Sequence, residues 1–154
     1  MSCSKLPEMV ICNLTKEGSP IANLMIMIEL STLRKNHYTI VFGPTDVNGN
    51  AILSAEEIKR QANSQLQLAL MDYDPIEESF VGLMRVKIMT HSDIKNAIAA
   101  YDLFKSEAYY PHHYRDALDS VIRTLDQIDV SRICISVKVV PTSSDIRVIV
   151  EAMI

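Results

Sequence analysis

The stretch Gly43-Pro44-Thr45-Asp46-Val47-Asn48-Gly49-Asn50-Ala51-Ile52-Leu53-Ser54-Ala55-Glu56-Glu57 decides how this chain is read. Two physical readings compete for it. In the first it is a tight turn between β-strands followed by a helix cap: Gly, Asn and Asp supply the turn conformations, and Ser54 stands three residues before Glu57, the spacing of a capping box. In the second it is a calcium loop, with Asp46, Asn48, Asn50, the carbonyl of Ile52, Ser54 and Glu57 at positions 1, 3, 5, 7, 9 and 12 of an EF-hand-like loop. Against calcium, Ala51 stands where such a loop needs glycine, and Tyr38 to Phe42 before it reads as a strand instead of an entering helix. The turn and cap account for every residue and are preferred. Asp46, Asn48, Asn50 and Glu57 are the candidate metal ligands, with calcium the candidate ion.

Working outward toward the N-terminus, Tyr38 to Phe42 is a β-branched and aromatic run that reads as a strand, with a polar turn at Arg34, Lys35 and Asn36 before it. Ile21 to Leu30 is apolar on both alternating faces, the pattern of a central, covered strand. Thr15 to Pro20 is a cluster of turn formers after the apolar run Met9 to Leu14, which predicts a hairpin.

Toward the C-terminus, Ser54 to Ala62 predicts one short helix ending at Asn63, and the alternation Gln65, Leu66, Gln67, Leu68, Ala69, Leu70 predicts a half-buried strand. Gly82 to Thr90 predicts another, with Met84, Val86 and Ile88 inward against Arg85 and Lys87. The period then changes. Ser92 is placed to cap a helix with the stripe Ile94, Ala97, Ile98, Tyr101 and Phe104. Pro111 suits the first turn of a second helix, whose stripe is Tyr114, Ala117, Leu118, Val121, Ile122, Leu125 and Ile128. Ile133, Ile135, Val137 and Val139, then Ile146, Val148 and Val150, predict a closing β-hairpin.

The segment from about residue 8 to 74 resembles the transthyretin-like sandwiches, the group with the carboxypeptidase regulatory-like and collagen-binding B-type modules. Gly18, Ser19, Pro20, Ile21 and Ala22 opening a long apolar strand, then Thr45 to Leu53, then the alternating run to Tyr73, carry the resemblance. It implies an antiparallel β-sandwich used mostly for binding, spacing or assembly. The helical hairpin is no part of the usual module and would be an insertion before the last strands. The group's purine-pathway hydrolases carry a Tyr-Arg-Gly-Ser ending; this chain ends Glu151, Ala152, Met153, Ile154, so that activity is not supported.

Composition narrows the function classes. With 154 residues and 48% apolar content the chain is long enough for one domain with a real core. Lys and Arg number 15 against 19 Asp and Glu, a net charge of −4, which offers no electrostatic footprint for a nucleic-acid backbone or an anionic membrane. The longest apolar stretch, Ile21 to Leu30, is about half the roughly 20 residues a membrane span needs. The N-terminus has Pro7 and Glu8 where a signal peptide carries its apolar centre, so it is read as retained. Cys3, Cys12 and Cys134 have no zinc spacing and cannot all pair, which favours a reducing, cytoplasmic setting and a packing role for Cys12 and Cys134. Only four glycines are present, and no phosphate-cradling motif.

Tyr109, Tyr110, Pro111, His112, His113, Tyr114 is the one dense aromatic and histidine cluster. Adjacent histidines point about 100° apart on a helix, so they do not form a metal pair. They read as a solvated helix start, with a small enzyme using residues 112–114 as the remote alternative, and His37 and His91 as polar residues at element ends. The tyrosines are candidate contact residues. Asp72 with Asp74, and Glu77 with Glu78, flank Pro75 with no nucleophile beside them. The expectation is therefore an α+β chain, a single domain of sandwich residues 8–90 and 132–154 with a helical hairpin at 92–129. Its function is that of a non-catalytic interaction or assembly module with a protein partner or a second copy. Tyr109, Tyr110, Tyr114, Ile149 and Met153 are the candidate interface, since the terminal run Ile146 to Ile154 is apolar with few charged breaks.

Overall fold

The computed structural model describes residues 6–33, 37–69, 76, 80–104, 114–142 and 148–152. Among the described residues it is an α+β fold of two four-stranded sheets, three α-helices and one 3-10 turn at Val130–Arg132. Strand β1 (Met9–Lys16) turns at Glu17 and Gly18 into the short β2 (Ser19–Pro20), pairing Thr15 with Pro20 and Lys16 with Ser19. Both turn residues have positive φ, 52° and 83°, as a two-residue type I′ hairpin requires. Strand β1 also pairs antiparallel with β5 (Asn50–Ser54) and, along its other edge, with β7 (Cys134–Val140). The second sheet has the order β4-β3-β6-β8, built from β3 (Ile26–Thr32), β4 (His37–Phe42), β6 (Phe80–Ile88) and β8 (Ile149–Ala152). The central position expected for the run Ile21 to Leu30 belongs to β3, although its strand begins only at Ile26.

One hydrophobic cluster lies between these elements. Val10, Cys12 and Leu14 of β1, Ile26, Ile28 and Leu30 of β3, and Met84 and Val86 of β6 are essentially inaccessible. Helix α1 (Ala55–Ala69) adds Ile58 and Ala62 and lies against both β4 and β5. Helices α2 (His91–Phe104) and α3 (Tyr114–Leu125) form the expected hairpin, contributing Ile94, Ala97, Leu118, Val121 and Leu125. It is tied to the loop before β3: Asn23, held at φ 66°, donates to the hydroxyls of Ser120 and Thr124 at 2.8 Å each.

Four expectations are corrected. Residues 65–69 do not form a strand, because α1 continues to Ala69. Leu, Gln and Ala are all good helix formers, and one Asn at position 63 is too weak a breaker to stop a helix already nucleated. The closing hairpin is absent: β7 joins the sheet of β1, while β8 crosses to the other sheet and runs parallel to β6, pairing Leu83 with Ile149 and Arg85 with Glu151. The fold is thus mixed, not wholly antiparallel. The cap of α2 is Thr90 instead of Ser92. Its hydroxyl accepts from the Asp93 N–H at 3.2 Å, and the Asp93 carboxylate accepts in return from the Thr90 N–H at 2.9 Å, a reciprocal box that begins ahead of the expected cap. Cys134 is exposed, not a packing residue, whereas Cys12 is fully buried. The expected turn at 34–36, the acidic pairs at 72–78, Tyr109, Tyr110, His112, His113, Ile146 and Met153 lie outside the described residues. Among the described residues no helix is long and apolar enough to cross a membrane.

Candidate functional site

The stretch 43–57 is built as turn, strand and cap. The Asp46 carboxylate accepts from the backbone N–H groups of Asn48 and Asn50, both at 2.9 Å, closing the turn on itself. Asn13 on β1 fastens this turn by donating to the Asn48 carbonyl at 3.0 Å and the Asn50 side chain at 2.7 Å. Gly49 (φ 78°) is the one residue that fits its position, since a Cβ there would strike the Leu14 carbonyl oxygen. Thr45, buried, accepts from the Leu24 N–H and donates to the Ile21 carbonyl. Ser54 accepts from the Glu57 N–H at 3.2 Å, and the Glu57 carboxylate receives Arg60 and Gln61.

Of the candidate metal ligands, Asp46, Asn48 and Asn50 share one turn and Glu57 stands apart from them. Asp46, Asn48 and Asn50 sit at the start of β5 and Glu57 beyond its end, and four residue steps of extended strand separate Asn50 from Ser54 by about 13 Å. Among the described residues no group of three or more His, Cys, Asp or Glu side chains is placed to hold a metal ion. Burial pushes the Cys12 thiol up to about 12, so it stays protonated and unreactive. His37 sits at the start of β4 beside Ser31 and Glu29, and His91 opens α2 with its Nε2 2.6 Å from the Asp126 carboxylate of the chain leaving α3.

What the structure presents instead are surfaces and edges. The outer face of the β1 sheet carries alternate residues in rows set by the register: Ser54, Met9, Val140; then Ile52, Ile11, Lys138; then Asn50, Asn13, Ser136. Met9, Ile11, Ile52 and Val140 make two adjoining apolar rows, and Ile52 is 60% exposed. The outer face of the other sheet is charged across its middle. Glu29, Arg85 and Glu151 lie side by side on β3, β6 and β8, with Arg85 3.7 Å from Glu29 and 3.3 Å from Glu151. Of the expected interface residues, Ile149 is 65% exposed at the edge of that sheet, next to Leu83 and on the same face as Val81. Tyr114 is the first residue of α3, and its side chain lies outside the described ones.

The residue that sequence reasoning missed is Gln61. Fully buried on α1, its Oε1 accepts from the Val41 N–H at 3.0 Å and its Nε2 donates to the Val41 carbonyl at 2.8 Å. Val41 belongs to β4, the edge strand of its sheet, so one side-chain amide stands in for a neighbouring strand. The signal was present in the spacing: Gln61 shares the stripe of Ile58 and Ala62, where a polar residue needs a buried partner.

Compared with protein-family models, with curated proteins and with solved structures, the chain matches none.

Proposed function

We propose that this chain is a non-catalytic interaction or assembly module, a transthyretin-like sandwich that engages a protein partner or a second copy. The observation that carries this reading is the pair of adjoining apolar rows Met9, Ile11, Ile52 and Val140 on the outer face of the β1 sheet, next to the single charge of Lys138. Apolar side chains contiguous across three strands are the raw material of a protein contact, and Ile52 at its middle keeps most of its surface in water. The Glu17-Gly18 hairpin and the Asp46–Asn50 turn support the sandwich reading, whereas the run from Gln65 that also carries the resemblance is helical as far as Ala69.

The test is capture from native lysate with the intact chain beside its Ile52→Asp variant. Ile52 is exposed, so the variant should fold with an unchanged melt. A partner identified by mass spectrometry, rebinding in purified form and lost with Ile52→Asp, supports the reading; equal capture by both chains removes this face from consideration.

A further inference from the structure

We propose that β7 pairs with the β7 of a second copy, antiparallel and centred on Val137, joining the two β1 sheets into one; this rests on the assembly reading above and names its partner. Among the described residues no strand or helix pairs with the outer edge of β7. It is seven residues long and lacks proline, and its one charge, Lys138, points to the outer face. Its core-facing residues show what the open edge leaves undone. Ile135, Val137 and Val139 stand opposite Leu14, Cys12 and Val10, all fully buried, yet remain only half-buried themselves. A strand added to that edge would cover them.

The sequence of β7 favours its own copy in one register. Antiparallel pairing must oppose residues of the same face, so the two-fold axis falls on a residue. An axis at Lys138 would set Lys138 directly against the partner's Lys138, which like charges disfavour. An axis at Ser136 leaves only five pairs. An axis at Val137 uses the whole strand: Ile135 faces Val139 of the other copy, Ser136 faces Lys138, and Cys134 faces Val140. Such an isologous pairing consumes both β7 edges and therefore stops at the dimer, which a head-to-tail contact would not.

Sedimentation equilibrium of the intact chain at micromolar concentration, in low salt with reductant, should give a monomer–dimer equilibrium. Ser136 is exposed, so its variants leave the protomer intact while changing what faces Lys138 at two symmetric places. Ser136→Lys should raise the dissociation constant by about two- to thirty-fold and Ser136→Glu should lower it by a similar factor. In a Cys3→Ser background, Val140→Cys opposes Cys134 of the other copy at a Cα separation a disulfide spans, and oxidation should yield a covalent dimer. A monomer at every concentration overturns the proposal. So does a dimer that ignores both Ser136 variants, fails to cross-link, or is broken by Ile149→Lys instead, which would place the contact on β8. Either failure leaves the Ile52→Asp capture experiment standing as the separate test of the assembly reading.

Discussion

On the side of β4 and β5 the chain finishes its own sheets: α1 lies against both strands, Tyr38, Ile40, Phe42, Ala51 and Leu53 are buried, and Gln61 takes up the free N–H and C=O of Val41. On the side of β7 and β8 the inward residues Ile135, Val137, Val139, Val148 and Val150 are half-buried, and Ile149 is 65% exposed. Among the described residues the same core is thus sealed at one pair of edges and left ajar at the other. A sheet edge is a row of unmet hydrogen bonds, and proteins cover it with a helix, blunt it with charge, or use it. Among the described residues this chain covers one pair and leaves the other to Lys138 and Glu151, and β7, on the open side, is the strand proposed to pair with a second copy.

The largest expected effect breaks the sealed edge. Gln61→Leu keeps the volume and removes the amide, leaving a buried N–H and a buried C=O at Val41 without partners. At about 1 to 3 kcal/mol for each orphaned group, the loss should reach about 2 to 6 kcal/mol in urea melts. A loss below about 1 kcal/mol would mean that the edge is not sealed by this amide, and the contrast between the two sides would fail. Next comes the helix that carries Gln61. Ser54→Ala removes the acceptor of the Glu57 N–H and should destabilise by about 1 kcal/mol. The loss should be equal in calcium and in chelator, and a loss seen only with calcium would restore the metal loop.

A smaller effect tests the junction between β6 and α2. Asp93 is drawn upward by burial, but hydrogen bonds from Lys87 and Thr90 and the Lys87 charge outweigh that and hold its carboxyl below the usual value. Lys87 Nζ stands 2.8 Å from it. A depressed carboxylate stabilises the fold above its unfolded pKa, about 3.9, and that contribution is lost as pH falls through the lower folded value. Asp93→Asn should therefore be less stable than the native chain at pH 7, by about 1 kcal/mol for a pair that solvent still reaches, with the gap closing below about pH 4. A gap that persists at pH 2 would mean that the carboxylate charge contributes nothing.

How much of this was legible follows the range of each interaction. Alternation and turn chemistry placed β1, its hairpin, β3, β4, β6 and β7, and the Ser54 cap, because those signals lie within a few residues. The alternating Gln65 to Leu70 fits a strand as well as a helix, and what decided it was the helix already running from Ala55. Val148 and Val150 face the core as the pattern expects, yet the pairing of β8 differs from the expected hairpin: Val150 lies beside Met84, 66 positions away, and no local pattern states which sheet a strand joins. Gln61 was read only as a helix former for the same reason, its partner Val41 being 20 residues distant. For the function, the apolar outer row was legible strand by strand, but that Met9, Ile11, Ile52 and Val140 adjoin follows only from the register.

The smallest expected effect sharpens the open side. Ile149→Lys replaces an apolar side chain that already lies mostly in water, at a strand edge where lysine is a common guard. Little transfer free energy is lost, no buried group is orphaned, and Glu151 nearby offers an opposite charge. The change in protomer stability should stay within about 0.5 kcal/mol. A melt at a concentration where the chain is monomeric reads this alone, because dimerisation would otherwise enter the midpoint by mass action. A loss above about 1 kcal/mol would mean that some segment of the chain packs on Ile149 in solution. The edge at β8 would then be covered like its opposite, and the contrast between the two sides would rest on β7 alone.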